Sequence, residues 1–250
     1  MVFLMNNKYS KKSKFVAFIP ARSGSKRIKN KNLTIINGRN LIQRAIDCAK
    51  NINDISEVVL STDSKVYEDM GFKYGAKSYG LRPKSISNDT SSDKEWLLWL
   101  CEKLYQKDKS FTHYLIMRPT SPFRSSNLVK KAIDTFNESL KDEFTTLRSI
   151  SKTKEHPGKM WVKLSEDRMS RLIPFAKEGI PWSDHSYSSL PQTYIQNACL
   201  EIGSIKGILN NMPSSGYTTI PFICEGIEVL DINTPEDLVY ANYIAKNLGI

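Results

Sequence analysis

The chain has 250 residues, 40% of them hydrophobic and 25% charged, and its 36 basic and 26 acidic residues give a formal net charge of +10. That size and balance exclude a disordered or fibrous chain and suit one large domain, or one domain with a subdomain, around a real core. No apolar run approaches the roughly 18 residues that a bilayer crossing needs, so no membrane partner is expected. The basic excess favours anionic partners: nucleotides, acidic sugars or nucleic acid. Neither a helix-turn-helix, nor an RNP pattern, nor an aromatic-rich basic stripe is present, which argues against nucleic acid.

The opening "MVFLMNNKYSKKSK" carries its positive charges after its few apolar residues, the wrong order for a signal peptide. Residues 1–14 are expected to be a disordered tail, and residues 15–250 the folded domain. From there apolar, β-rich runs alternate with amphipathic stretches. "KFVAFIP" reads as a strand, "NLIQRAIDCAKNI" as a helix, "SEVVLSTD" as a strand and "DSKVYEDMGFKYG" as a helix. The helix "DKEWLLWLCEKLYQ", the strand "THYLIMRP", the helix "SNLVKKAIDTFNESL" and the strand "EFTTLRSI" follow. Ser92 with Glu95 fits a capping box, and Thr234-Pro235-Glu236-Asp237 opens a last helix with a cap, a proline and early acids. The alternation predicts a mostly parallel α/β sheet with helices on both faces. It lapses over about 152–196, read as an excursion serving as a lid or an oligomerisation element, and returns with "NACLEIGSIKGILNN".

Four cysteines, Cys48, Cys101, Cys199 and Cys224, are scattered without a C-x-x-C pair. They suggest neither a zinc site nor a disulfide frame, and so a reducing cytoplasm. The three histidines stand alone and read as structural.

In open α/β sheets ligands bind beyond the carboxyl ends of strands, and four segments are placed to reach that edge. Pro20-Ala21-Arg22-Ser23-Gly24-Ser25-Lys26 combines small residues, whose N–H groups can curl around an anion, with two cations. It matches neither a Walker A loop nor G-x-G-x-x-G, and a solvated basic loop is its plain alternative. Of the cations in this run, Arg27, Lys29 and Lys31 read as a solvated rim. "LRPKSISNDTSSDKEW" brings Arg82 and a hydroxyl-rich helix start suited to a base or an anion, although Ser92 equally reads as a simple cap. "MRPTSPFRSSN" is a proline-fixed turn flanked by Arg118 and Arg124. In "EVLDINTPEDL", Asp231 reads as the end of a strand. Facing a phosphate loop it would be a natural Mg²⁺ ligand; otherwise it is a turn aspartate.

Taken in order, these segments resemble the cytidylyltransferases that activate acidic nine-carbon and eight-carbon sugars: the CMP-sialic, pseudaminic, legionaminic and Kdo synthetases. Ile19 to Asn32 is similar to I-P-A-R-G-G-S-K-G-I-x-x-K-N, and Arg82 to Ser92 to R-P-x-x-x-A/S-x-D-x-A/S-S. Arg118 to Arg124 is similar to Q-P-T-S-P-L-R, "EHPGKMW" to E-x-H-P-x-K-M-W, "LPQTYIQNACLEI" to L-P-x-x-Y-x-x-N-G-A-I-Y-I and "LDINTPEDL" to I-D-I-D-T-P-E-D-L. The resemblance runs from about residue 15 to 248.

It implies a Rossmann-like nucleotidyltransferase fold whose segment near 152–196 makes a homodimer. The implied reaction is CTP plus an acidic nonulosonate giving CMP-sugar and pyrophosphate, in cell-surface polysaccharide biosynthesis. Arg22, Lys26 and Asp231 would be catalytic. Ala21, Ser23, Gly24, Ser25 and Asn32 would bind the nucleotide with them, and Arg82 with Ser91 or Ser92 would face cytosine or ribose. Mg²⁺ would sit on Asp231 and Asn233. Arg118, Thr120, Ser121, Lys159, Asn197 and Glu201 would bind the sugar. The chain departs from the family pattern at Ser23, Arg27, Arg118, Ala198, Glu201 and Asn233, mostly on the sugar side. N-acetylneuraminate is therefore not the expected substrate. The alternatives are activation of Kdo or a degenerate homologue that binds nucleotide without turnover; a glycosyltransferase is disfavoured by the absence of any D-x-D.

Overall fold

The computed structural model describes residues 13–173, 176, 177 and 179–250, so the tail expected over 1–14 lies outside the described residues as far as Lys12. Lys14 is tied down: its N–H donates to Thr112 Oγ1 at 2.9 Å and its ammonium to Asp108 at 3.0 Å. The chain divides into two compact units, Ile150–Gln196 and the remainder.

The larger unit begins with β1 (Phe15–Pro20), followed by the short hairpin β2 (Ile35–Ile36) and β3 (Arg39–Asn40), then α1 (Leu41–Lys50). Next come β4 (Ile55–Ser61), α2 (Lys65–Tyr74), α3 (Asp93–Lys107), β5 (His113–Ile116), α4 (Ser126–Ser139) and β6 (Thr146–Lys152), whose last three residues already belong to the smaller unit. Each helix begins where a side chain can accept an unpaired N–H. Asn40 Oδ1 accepts from Gln43 N at 2.8 Å, Ser64 Oγ from Tyr67 N at 3.4 Å and Ser125 Oγ from Leu128 N at 3.1 Å. At α3 the expected box is carried by Glu95, whose carboxylate accepts the Ser92 N–H at 2.5 Å.

In the smaller unit, β7 (Trp161–Lys163) pairs antiparallel with β8 (Met169–Arg171), and β9 (Ala176–Lys177) with β10 (Ile180–Pro181). His156 is buried there. Its Nδ1 accepts the Gly158 N–H at 2.9 Å, so the proton sits on Nε2, which donates to Pro191 O at 2.9 Å.

The chain completes its sheet with β11 (Tyr194–Ser204), α5 (Ile205–Leu209) and β12 (Thr219–Ile223), and ends in α6 (Pro235–Leu248). The six-stranded order is β12-β6-β11-β5-β1-β4. β1 runs parallel to both β4 and β5, whereas β11 is antiparallel to β5. β1 shows why the unit is layered. Phe15, Ala17 and Ile19 enter one core with Ile42 and Ile46 of α1 and Val129 and Phe136 of α4. Val16 and Phe18 point the other way, into a core with Trp96, Leu97 and Leu100 of α3 and Ile205 of α5. A strand buried on both faces must be apolar throughout, which is why "FVAFIP" shows no alternation. The expected α/β sheet covered on both sides is therefore present.

One element differs. Asp231 does not end a strand: Gly226–Val229 form a 3₁₀ turn entered through Gly226 at φ 70°, and Asp231 follows in a loop. That loop is held by Ile232 N, which donates to Thr120 O at 2.8 Å, while Ile232 packs beneath α6 with Ile36, Leu41 and Phe123.

Candidate active site

Because β1, β4 and β5 are parallel, the loops after Pro20, Ser61 and Ile116 leave the same edge. Antiparallel β11 brings Asn197 and Ala198, in its first half, to that edge too. A cavity of about 620 Å³ opens there, walled by segments 20–32, 82–96, 118–120 and 231–233 with Ala198. All four segments expected at the edge contribute, and every lining residue belongs to the larger unit.

The first loop supplies the cations. Arg22 and Lys26 both reach Asp89 in the facing segment, with Arg22 Nη2 at 2.8 Å from Asp89 Oδ1 and Lys26 Nζ against Oδ2. Their hydrogen bonds hold the Asp89 carboxyl below the usual aspartate range. The loop itself is anchored from below. Asp63, just after β4, accepts from Ser23 N at 2.8 Å and from Ser23 Oγ at 2.9 Å. Buried Asn32 donates to Arg22 O at 3.0 Å, and buried Ala21 donates its N–H to Ser61 O at 2.9 Å. Ser25 and Asn32 line the cavity; Ala21, Ser23 and Gly24 do not. The Ser23 N–H, expected to meet a phosphate, is instead spent on Asp63.

The expectation of a solvated rim over Arg27, Lys29 and Lys31 is corrected for Lys31 alone. Arg27 lines the cavity, and Lys31 is half-buried with its ammonium donating to Ile232 O at 2.8 Å and to Asn233 Oδ1 at 3.4 Å. Burial lowers the Lys31 pKa, with Asp231 opposing that shift. Arg27 and Lys29 are both exposed, and of the two only Arg27 reaches the cavity.

On the facing wall, Arg82 is buried and spends its guanidinium on Ser61, donating to Ser61 O at 2.7 Å and lying 5.0 Å from the Trp96 ring. Burial pulls its pKa down to about 10 against the pull of Asp63 and Asp93. Ser91 lines the cavity and its Oγ accepts from Asn88 N at 3.1 Å, whereas Ser92 caps α3 and is not among the lining residues.

Arg118 and Thr120 line the cavity, and Arg118 joins an ion network. Its Nη2 lies 2.7 Å from Asp93 Oδ2 and 2.8 Å from Glu201 Oε1, and the other Glu201 oxygen meets Arg148. Burial works to raise the Asp93 carboxyl, but the Arg118 charge and its hydrogen bonds to Arg118 and Trp96 leave it low. Glu201 is thus buried beneath the lining rather than part of it. Ser121 is also buried, donating to Ala198 O at 3.2 Å, and Asn197 Oδ1 accepts from Ser149 Oγ at 2.5 Å. Lys159 belongs to the smaller unit, where its ammonium donates to Ser183 O at 3.0 Å and His185 O at 2.6 Å.

Asp231 faces this cavity. Its Oδ2 accepts from Asn233 Nδ2 at 2.5 Å, and its Oδ1 is buried without a hydrogen-bond partner. An unpaired carboxylate oxygen at a cationic cavity fits a hard divalent cation that takes one or two carboxylates and completes its shell with phosphate and water. Among the described residues no cluster of three or more His, Cys, Asp or Glu side chains is placed to hold a metal.

Four site residues escaped the sequence reading: Asp63, Asp89, Asp93 and Arg148. Asp89 is the aspartate of the R-P-x-x-x-S-x-D pattern, so its signal was present; the others carry no local mark.

The fold is shared with known enzymes. A CTP complex of CMP:2-keto-3-deoxy-manno-octonic acid synthetase superposes with a TM-score of 0.66 at 18% identity, over 94% of this chain and 100% of that one. The sequence pattern of the family described as Cytidylyltransferase matches residues 16–176, so the chain belongs to that family and is a nucleotidyltransferase. CMP-N,N'-diacetyllegionaminic acid synthase of Legionella pneumophila is 30% identical over 225 residues, 90% of this chain and 93% of that protein. Pseudaminic acid cytidylyltransferase of Campylobacter jejuni is 34% identical over 123 residues, 49% of this chain and 53% of that protein.

Proposed function

We propose that the protein transfers CMP from CTP to the anomeric hydroxyl of an acidic nonulosonate of the legionaminic, pseudaminic or sialic type and releases pyrophosphate. The observation that carries this reading is the pairing, across one cavity, of a cationic loop with the unpartnered carboxylate oxygen of Asp231. Phosphoryl and nucleotidyl transfer need little covalent help from protein; they need positioning and charge neutralisation.

Arg22 and Lys26 are assigned to the triphosphate, with Arg27 at the same wall. Asp89 holds the two cations until an anion replaces it. Ser23 is given a positioning part: bound to Asp63, it fixes the backbone that Ser25 and Asn32 share. Ser91 and the backbone before α3 suit the polar edge of the base, with Arg82 acting through Ser61 rather than by direct contact. Arg118 and Thr120 are assigned to the sugar side, where Glu201 and Asp93 orient Arg118. Asp231 is the residue assigned to Mg²⁺. A magnesium ion there would neutralise phosphate charge and acidify the attacking hydroxyl.

The smaller unit leaves Trp161, Val162, Leu164, Met169 and Leu172 exposed. Apolar surface of this kind supports pairing with a second copy of the chain, which sedimentation would reveal as a homodimer. Among the described residues no helix is long and apolar enough to cross a membrane.

The deciding experiment measures pyrophosphate release from CTP with a panel of nonulosonates. Turnover with legionaminate-type or pseudaminate-type sugars is expected; best turnover with N-acetylneuraminate overturns the sugar assignment, and none with any sugar overturns the reading.

A further inference from the structure

The side chain two residues beyond Asp231 is an asparagine, and both of its ends are already engaged. Asn233 Nδ2 donates to Asp231 Oδ2 at 2.5 Å, and Asn233 Oδ1 accepts from Lys31 Nζ at 3.4 Å. Chemistry dictates this orientation: an amide nitrogen has no acceptor to offer an ammonium, and an amide oxygen has no proton to offer a carboxylate. The Asn233 N–H is also held, by Asp237 Oδ2 at 2.8 Å, and Lys31 is fixed a second time on Ile232 O at 2.8 Å. The amide therefore spans the carboxylate and the ammonium.

The charges acting on Lys31 are Asp231 and Asp237 against Arg27 and Arg22, so with Lys31 itself three cations meet two carboxylates, and Asp237 is already spent on the N–H groups of Asn233 and Thr234. The local protein charge is not negative. Magnesium gives up its waters reluctantly and repays that cost with anionic oxygens. One carboxylate oxygen in a cationic surround is a poor return, whereas the same oxygen beside a triphosphate is a good one.

We infer that Asn233 is not a metal ligand but a neutral bridge that positions Asp231 and Lys31, so that the divalent cation binds only together with the phosphates of the nucleotide, through Asp231 Oδ1. This rests on the reading of the cavity as a CTP site. Asn233→Asp would replace the bridge by a second carboxylate two residues from the first, and so build a site that holds the cation unaided.

The test is equilibrium dialysis of the purified chain against Mn²⁺, with no sugar present and folding checked by thermal melting. Without nucleotide the wild type retains at least about tenfold less Mn²⁺ than Asn233→Asp at the same free concentration. With saturating CTP the wild type retains one equivalent, and Asp231→Asn loses it. Retention by the nucleotide-free wild type equal to that of Asn233→Asp overturns the inference, as does CTP-dependent retention by Asp231→Asn. Labelled CTP is counted in the same cells. If none is retained with or without metal, the nucleotide reading fails, while the nucleotide-free comparison still decides the part played by Asn233.

Discussion

Arg22 and Asp89, 67 positions apart, face each other across the cavity with Nη2 2.8 Å from Oδ1, and Lys26 meets the second oxygen of the same carboxylate. One carboxylate thus occupies both cations proposed for the triphosphate. All three side chains are at least partly exposed, so the contact is weak enough to be displaced. Replacing Asp89 by Asn should free the cations without removing them. Inorganic pyrophosphate is expected to bind about two- to fivefold more tightly, read by calorimetric titration. Weaker binding would mean that Asp89 helps the anion rather than competing with it.

Asp63 holds the cationic loop from beneath through the N–H and the hydroxyl of Ser23. Hydrogen bonds to a charged acceptor contribute about 1.5–3 kcal/mol each. Asp63→Ala should raise the apparent KM for CTP about tenfold or more and leave the melting temperature less affected than the KM. Ser23→Ala removes only the hydroxyl bond and should give the smaller of the two effects.

Glu201 is the buried anion between Arg118 and Arg148, and its side chain is 5% exposed. Removing one member of a buried ion group leaves the others uncompensated, at a cost of about 3–5 kcal/mol. Glu201→Gln should lower the unfolding free energy in urea by about that amount. A change under about 1 kcal/mol would show that the arginines find other partners.

His113 is buried between Phe15 and Phe136, with ring centroids 5.9 and 4.9 Å away. Burial pulls its pKa from the ordinary 6.5 down to about 4. Between those values the unfolded chain binds a proton that the native protein refuses, so stability falls as the pH drops from 6.5 to 4. That one group accounts for about 3 kcal/mol of acid sensitivity, and above neutrality it contributes no slope. His113→Phe should flatten the acid limb of the stability profile by that amount, measured by urea unfolding at stepped pH.

Much of this molecule was legible in one dimension, because local rules act locally. The doubly buried β1, the capping boxes that open α3 at Ser92 and α6 at Thr234, and the proline at the start of α6 each follow from residues a few positions apart. So does the cationic loop after Pro20, since small residues and cations there leave few alternatives. What the sequence by itself determined is the α/β order of elements and the presence of a cationic strand-end edge.

The tertiary structure decided how the polar groups are spent. Ser23 looks like a phosphate donor until Asp63, 40 positions away, takes its N–H. Lys31 looks like a solvated cation until the loop before α6 covers it, 201 positions on, with Ile232 O. Arg118 and Glu201 each look like a sugar contact until their mutual ion pair, with Arg148 beneath, leaves only Arg118 at the cavity wall. Hydrogen bonds and ion pairs reach only a few ångströms in space, and nothing in local sequence records which distant segment folding will bring within that reach.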